Sequence, residues 1–275
     1  MTRHFMPIVL VCAAMASPAL AAETALVTLA TGSVTQADGT TPSAPFVLKS
    51  GQTITLGEGG SVVVLAEGTA TRLRGPRTVS MTDLHAPSVG TQGQTSGAAL
   101  TQVLSRDVSF AKAGASRGGA LTLTRPIAGG QVQHFAGVSW RCEDCGPQTV
   151  SLTPLMADDP IWTTQATDTA AYDGASLAPG PYLVRVGDEE FAMTIATQGQ
   201  SKGVKTAVQH GLSLLGDSED DVALKPSVVA GIYWSAGLTA DALWTLDAAA
   251  AAHPESTEIV ELRRAYEQRL GLVKP

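Results

Sequence analysis

The chain has little charge and few aromatic side chains, and these shortages narrow the classes of protein to which it can belong. Only 16% of its 275 residues are charged and 5% are aromatic. The charge is mostly acidic, because 18 Lys and Arg residues stand against 25 Asp and Glu residues, for a formal net charge of −7. An acidic protein does not attract nucleic acid through long-range electrostatics. We therefore expect no nucleic-acid partner.

Long apolar runs are also scarce, and the one near the N-terminus is short. The apolar run at residues 5–16 has the length of a signal-peptide core and is too short to span a bilayer. An Ala-Leu-Ala tripeptide ending at Ala21 then matches a signal-peptidase site. The sequence predicts a signal peptide at residues 1–22, cleaved after Ala21 or Ala22, and a periplasmic or secreted mature chain without membrane insertion. Removal of Arg3 would leave 17 basic against 25 acidic residues, a net charge of −8.

Cysteine is nearly absent, since the predicted mature chain retains only Cys142 and Cys145. An even number of cysteines in an oxidising compartment predicts a disulfide, here across a short turn. A thiol redox centre is the alternative, but it requires a helix to begin at the first cysteine. Gly146 and Pro147 follow in a strand-rich region, which disfavours that alternative. A metal site would need about four ligands, and His134 is the only histidine nearby.

Motifs for catalysis and cofactor binding are missing from the sequence. It contains no Gly-x-Ser-x-Gly nucleophile elbow, no phosphate-binding loop and no His-Glu-x-x-His pair. The acidic run at 217–221 lacks the spacing and the final Glu of an EF-hand loop. We therefore predict a protein that is not an enzyme and has no cofactor.

What the sequence does contain, over residues 23–112, is a series of short segments with strand character separated by turns. Segments such as 25–30, 53–56 and 61–65 are rich in β-branched or alternating residues, and Gly-containing turns separate them. Short strands at this spacing indicate an all-β sandwich or barrel.

The same region resembles the FecR-like domain, in which a Gly-x-Val strand precedes a Leu…Gly-Asp-x-Ile turn and further strands. Gln52 stands where the family usually has Asp, and Glu67-Gly68-Thr69 replaces Asp-Gly-Ser. The resemblance implies a periplasmic β module used in sensing or interaction, without catalytic residues. The matching segments are Gly32-Ser-Val, Leu48 to Gly57, Ser61 to Leu65, Gly68 and Thr71 to Leu73.

Residues 113–120 are predicted to form a Gly- and Ser-rich linker. Residues 121–198 again have the pattern of short β-strands. Strands are predicted at 136–140, 149–153 and 160–163, and a hairpin is predicted from 177–186 and 190–195. The region resembles an immunoglobulin-like module often found behind FecR-like domains. The matching residues are Pro126, Gly129, Trp140, Leu177, Pro179, Gly180 and Tyr182.

Residues 199–275 change to helical patterning, with turn residues thinning out and Ala, Leu and Glu rising. The spacing from Tyr233 through Ala242, Leu246 and Ala249 to Pro254 resembles one tetratricopeptide unit. Small residues in such a unit allow two antiparallel helices to approach closely. The consensus Trp and Gly earlier in the unit are replaced by Pro and Ala. The overall prediction is a multidomain β-plus-α protein: a FecR-like domain, a β-sandwich-like domain and a C-terminal helical hairpin repeat.

This architecture predicts a protein-interaction or sensory accessory module of the bacterial cell envelope that binds a protein partner. Tyr233, Trp234 and Trp244 are the candidate partner contacts. The first alternative is a carbohydrate- or peptidoglycan-binding module, which would require an exposed aromatic row at Trp140, Trp162 and Tyr182. We expect the aromatic residues of this region to be buried in the core instead, because each removes a large apolar area from water. The second alternative is a thiol redox protein that uses Cys142 and Cys145.

Overall fold

The computed structural model describes residues 24–66, 69–80, 121–126, 130–215 and 222–273. Within these ranges the protein is mixed β and α, with several antiparallel sheets followed by a C-terminal helical segment, which confirms the predicted composition of the fold. Several features of the sequence analysis lie outside the described residues: the signal peptide at 1–22, residues 81–112 of the first domain, the linker at 113–120, the acidic run at 217–221, and Gly68 and Gly129 of the matched motifs.

The first β unit, residues 24–80, is a sandwich of two antiparallel sheets. One sheet has the strand order β3-β1-β5-β6 and the other has the order β2-β4-β7. Val27, Val64 and Ile54 are among the side chains that fill the space between them. The strands are β1 (Thr24–Thr31), β2 (Val34–Gln36), β3 (Phe46–Lys49), β4 (Thr53–Leu56), β5 (Ser61–Ala66), β6 (Thr69–Arg74) and β7 (Arg77–Ser80).

The second β unit, residues 121–195, also has two sheets, with strand orders β13-β10-β8 and β12-β11-β14-β15-β9. The predicted hairpin is present as the antiparallel pair β14 and β15. Trp140, Leu152 and Phe191 are among its buried core residues. The strands are β8 (Leu121–Arg125), β9 (Gln131–Val132), β10 (Gly137–Cys142), β11 (Gln148–Pro154), β12 (Trp162–Ala166), β13 (Thr169–Ala171), β14 (Gly180–Val186) and β15 (Glu189–Ile195).

The helical segment begins where the Thr197 side chain accepts a hydrogen bond from the backbone N–H of Gln200, a helix N-cap. Ser256 caps the last helix in the same way by accepting from the N–H of Ile259. Pro254 lies in the turn after the third helix, where it cannot continue that helix. The helices are α1 (Gln198–Ser213), α2 (Leu224–Ser235), α3 (Thr239–Ala252) and α4 (Thr257–Arg269).

The helices pack against the outer face of the four-stranded sheet and form a third layer on the first β unit. Every residue of β5 is buried, because Val62 and Val64 face the sandwich core while Val63 and Leu65 face the helices. Burying an aliphatic side chain of this size stabilises a fold by about 1.5–3 kcal/mol. The inner face of the helical segment is therefore occupied by a sheet of the same chain.

Close contact between this sheet and α2 depends on a glycine. A Cβ placed on Gly231 would lie 2.4 Å from Cγ2 of Thr28 on β1. That distance is shorter than van der Waals contact allows, so the two backbones approach more closely than an alanine permits. In contrast, a Cβ on Gly203 of α1 would meet no atom within 4 Å.

Candidate interaction sites

Asp241 joins the helical segment to the second β unit. It lies in the first turn of α3 and is 7% exposed. Its Oδ2 accepts from the backbone N–H of Gln133 at 2.8 Å, and its Oδ1 accepts from that of His134 at 3.3 Å. Burial raises the pKa of Asp241 to about 6, although these hydrogen bonds act in the opposite direction. The side chain therefore holds the loop between β9 and β10 against α3.

A group of ion pairs forms a second connection between the same two parts. The guanidinium of Arg125 on β8, a residue 5% exposed, donates from Nε to Oδ2 of Asp247 on α3 at 3.1 Å. Its Nη2 lies 3.3 Å from Oε1 of Glu267 on α4. Arg263 pairs with both carboxylates, at 2.9 Å to Asp247 and 3.4 Å to Glu267. These groups neutralise one another, so we assign the cluster to interdomain attachment.

The three candidate partner contacts in the helical segment have different surroundings. Trp234 is 3% exposed, with its ring centroid 4.8 Å from that of Tyr266 in an edge-to-face arrangement. Tyr233 is half-buried, and burial and the charge of Asp241 raise its pKa. Trp244 is also half-buried and packs against the core of the second β unit. In this conformation Trp234 serves the helix core, and only Tyr233 and Trp244 reach the surface.

The aromatic row required by the carbohydrate-binding alternative lies inside the protein. Trp140, Trp162 and Tyr182 are 3%, 9% and 6% exposed, respectively. They belong to the core of the second β unit, where each removes a large apolar area from water. These three side chains therefore present no stacking surface to a sugar.

Cys142 and Cys145 are close enough to be bridged. Cys142 is the last residue of β10, and the two Cα atoms are 5.6 Å apart across the following turn, as a disulfide requires. Asp144, inside the turn, has a left-handed φ of 59°. Among residues 130–196 of the described chain no helix begins, so the helix N-terminus that would activate a thiol is missing beside this pair.

An exposed apolar loop, missed in the sequence, connects β11 to β12. Of the five large apolar side chains that are exposed in the described ranges, three lie in this loop: Leu155 at 49%, Met156 at 95% and Ile161 at 52%. Asp158 and Asp159 lie between them. The signal in the sequence was the placement of apolar residues on both sides of an Asp-Asp-Pro turn. We call residues 155–161 the apolar tip.

The backbone of the apolar tip is held in place by hydrogen bonds. The N–H of Leu155 donates to the carbonyl of Pro181 at 3.1 Å, and that of Ala157 donates to Pro154 at 2.9 Å. The N–H of Ile161 donates to the carbonyl of Leu152, also at 2.9 Å. The tip therefore displays its apolar side chains from a fixed turn, which lowers the entropic cost of binding.

A cleft of about 490 Å³ opens at the end of the second β unit that faces α3. Its walls are the loop between β9 and β10 and the loop between β13 and β14. Residues in these loops are about forty positions apart, so no local pattern in the sequence indicated the cleft. The residues that matter here are Gln133, His134, Phe135, Tyr172, Asp173 and Ser176.

Two further classes of site concern metal ions and membranes. Within the residues that the structure describes, no group of three or more His, Cys, Asp or Glu side chains is arranged to hold a metal ion. Over the same residues, no helix has the length and apolar character needed to cross a membrane. The two cysteines and the nearby His134 do not combine into a ligand set.

Comparison with known proteins adds no relative. No protein-family model matches the sequence, and no curated protein or solved structure is significantly similar to it. The resemblances to FecR-like, immunoglobulin-like and tetratricopeptide modules therefore rest on the sequence motifs described above.

Proposed function

We propose that this chain is an exported, non-enzymatic protein-interaction or sensory accessory module of the bacterial cell envelope. The first β unit would act as a FecR-like domain and the second as an immunoglobulin-like domain. The helical segment would supply a tetratricopeptide-like hairpin that fastens both. The disulfide suits an oxidising compartment, as the predicted signal peptide does.

The observation that carries the proposal is the apolar tip. Exposed apolar side chains scattered singly are normal on a protein surface, whereas a cluster on an ordered loop marks a binding site. Met156, at 95% exposed, is a flexible side chain of the kind used at adaptable binding surfaces. Transfer of such a side chain into a partner's pocket would contribute about 1.5–3 kcal/mol.

The charge on the tip indicates the chemistry of the partner. Asp158 and Asp159 are exposed beside the apolar side chains, and residues 155–161 include no Lys or Arg. An anionic lipid surface would be repelled by these carboxylates. We expect the partner to be a protein with an apolar pocket surrounded by Lys or Arg, because these positive charges would complement the acidic residues of the tip.

The experiment uses the full chain, expressed with its N-terminal segment, carrying a photo-reactive amino acid at Met156. The matched control places the same amino acid at Val260, an exposed apolar position on α4. We expect a specific protein adduct from position 156 and no such adduct from position 260. Mass spectrometry then identifies the adduct.

Binding of that identified partner is next measured with purified proteins. The variant Leu155→Ser/Met156→Ser/Ile161→Ser should weaken the complex by at least about tenfold, whereas Val260→Ser should leave it unchanged. The complex should also weaken as salt is raised, because the acidic tip faces basic residues. Equal adducts from both positions, or full affinity in the triple variant, would contradict the proposal.

A further inference from the structure

The cleft at the end of the second β unit has the features of a small-ligand site. Its volume, about 490 Å³, lies in the range of such sites, roughly 300–1,000 Å³. Its two loops are joined by a backbone hydrogen bond of 3.0 Å from the N–H of Tyr172 to the carbonyl of Ala136. Asp241 holds one wall in place through the N–H groups of Gln133 and His134. The cleft is therefore formed by fixed elements.

Aromatic rings form an ordered base for the cleft. The centroid of the Phe135 ring lies 5.2 Å from that of Tyr172, and the Tyr172 centroid lies 5.4 Å from that of Trp162. Phe135 and Trp162 are buried, whereas Tyr172 is half-buried and lines the cleft. The Tyr172 hydroxyl donates to the carbonyl of Ala175 at 2.7 Å, which fixes the orientation of its ring.

The Asp173 carboxylate is the acceptor that is available to a ligand at the cleft. Asp173 accepts from the indole N–H of Trp162 with Oδ1 at 2.9 Å, and no hydrogen bond occupies its other oxygen in the described residues. The side-chain amide of Gln133 is directed to the helical segment, with its Nε2 3.4 Å from the carbonyl of Ser201, and its Oε1 is buried.

The other polar side chains of the cleft can also form hydrogen bonds with a ligand. His134 and Ser176 are exposed at the cleft and can donate or accept. No Lys or Arg is among the residues that line it, so the cleft does not suit a phosphate or another anion. Asp173 is the one carboxylate among them, which is too few for a hard metal ion.

We propose that this cleft binds a sugar ring of a hydroxyl-rich glycan. One hydroxyl would donate to Asp173 while a neighbouring hydroxyl accepts from His134 or Ser176, and the apolar face of the ring would pack on Tyr172. A purely apolar ligand would displace water from the Asp173 carboxylate without offering it a donor. The side chain that would contact the sugar ring is Tyr172 rather than a member of the buried row of Trp140, Trp162 and Tyr182, and the site does not depend on the partner proposed for the apolar tip.

The test follows the full-length protein by nitrogen-15 NMR during titration with four probes, up to tens of millimolar. The probes are glucose, N-acetylglucosamine and the β-1,4-linked disaccharide of each. The indole N–H of Trp162 reports directly, because it is bonded to Asp173. We expect at least one probe to shift this resonance and the amides of both cleft loops, while the indole signals of Trp234 and Trp244 stay in place.

Two variants make the result specific. Asp173→Asn retains an oxygen that can accept from Trp162 but removes the charge, so it should weaken binding by about tenfold. Asp188→Asn, in the exposed turn between β14 and β15, removes the same charge elsewhere and should bind as the wild type does. Thermal melting verifies that both variants fold. If none of the four probes shifts the Trp162 indole, or if Asp173→Asn binds with wild-type affinity, the proposal is overturned.

Discussion

Replacing Asp241 with Asn should make the protein more stable at neutral pH, although it removes a side chain that makes two hydrogen bonds. The pKa of Asp241 rises from 3.8 to about 6 because burial disfavours the carboxylate. A folded-state pKa above the unfolded value means that the native protein retains this proton to higher pH than the unfolded chain does. Its contribution to stability is therefore complete below pH 3.8 and is lost as the pH rises through about 6.

The shift in the pKa of Asp241 sets the size of the expected change in unfolding free energy. About two pKa units correspond to about 3 kcal/mol of unfolding free energy. Asn resembles the protonated acid, since one oxygen still accepts from a backbone N–H while the charge is gone. Asp241→Asn should therefore match the wild type near pH 4 and exceed its unfolding free energy by up to about 3 kcal/mol at pH 7.5.

The assay is urea unfolding of both proteins from pH 4 to pH 7.5, followed by tryptophan fluorescence. Comparing variant with wild type at each pH cancels the titration of the other carboxylates. The exposed Asp188→Asn variant serves as control, and its difference from the wild type should stay within about 0.5 kcal/mol at every pH. If the wild type gains stability over Asp241→Asn as the pH rises, the two N–H donors outweigh burial and the reasoning is refuted.

Three further predictions concern packing, charge and export. Gly231→Ala should destabilise the protein by about 1–3 kcal/mol in thermal or urea unfolding, because the added methyl group would be overpacked against β1. The control Gly203→Ala places a methyl group in open space and should be neutral or stabilise by up to about 1 kcal/mol. Similar effects at both sites would contradict the close approach of α2 to the sheet. Arg125→Met should lower the free energy of unfolding by about 3 kcal/mol, because it leaves the carboxylates of Asp247 and Glu267 without this positive partner. Adding Glu267→Gln should restore part of that loss. A further, additive loss would refute the assignment of the ion-pair cluster to interdomain attachment. Intact-mass measurement of the exported protein should show an N-terminus created by cleavage after Ala21 or the residue that follows it, and an unprocessed mass would rule out the predicted signal peptide.

Several strands were missed in the sequence, and the reason is physical. β7, β9 and β13 have two to four residues each, too few for an alternating pattern to be recognised. β8 has buried residues at Leu121, Leu123, Thr124 and Arg125, so its last positions do not alternate. Arg125 is buried because two carboxylates from α3 and α4 meet it, and such a partnership is invisible from neighbouring residues.

The candidate sites, like the strands, could be predicted from the sequence only in part. Cys142 and Cys145 could be paired in advance, because three residues of separation keep them within reach. The burial of Trp140, Trp162 and Tyr182 agrees with the core role expected of large aromatic side chains, whereas the core role of Trp234 was not predictable from its type. The apolar tip is defined by the exposure of its side chains, and the cleft is formed where two loops meet. No local sequence pattern specifies either property.

The amino-acid sequence alone determined the local elements: the predicted strands at residues 25–30, 53–56 and 61–65, and the hairpin of β14 and β15. Periodicity, turn chemistry and capping act over a few residues, so neighbours suffice to specify them. Only the tertiary structure decided that the helices cover the outer face of the first β unit and that Asp241 and Arg125 fasten them to the second. Those contacts join residues more than a hundred positions apart, and their energies depend on burial, which exists only once the chain has folded.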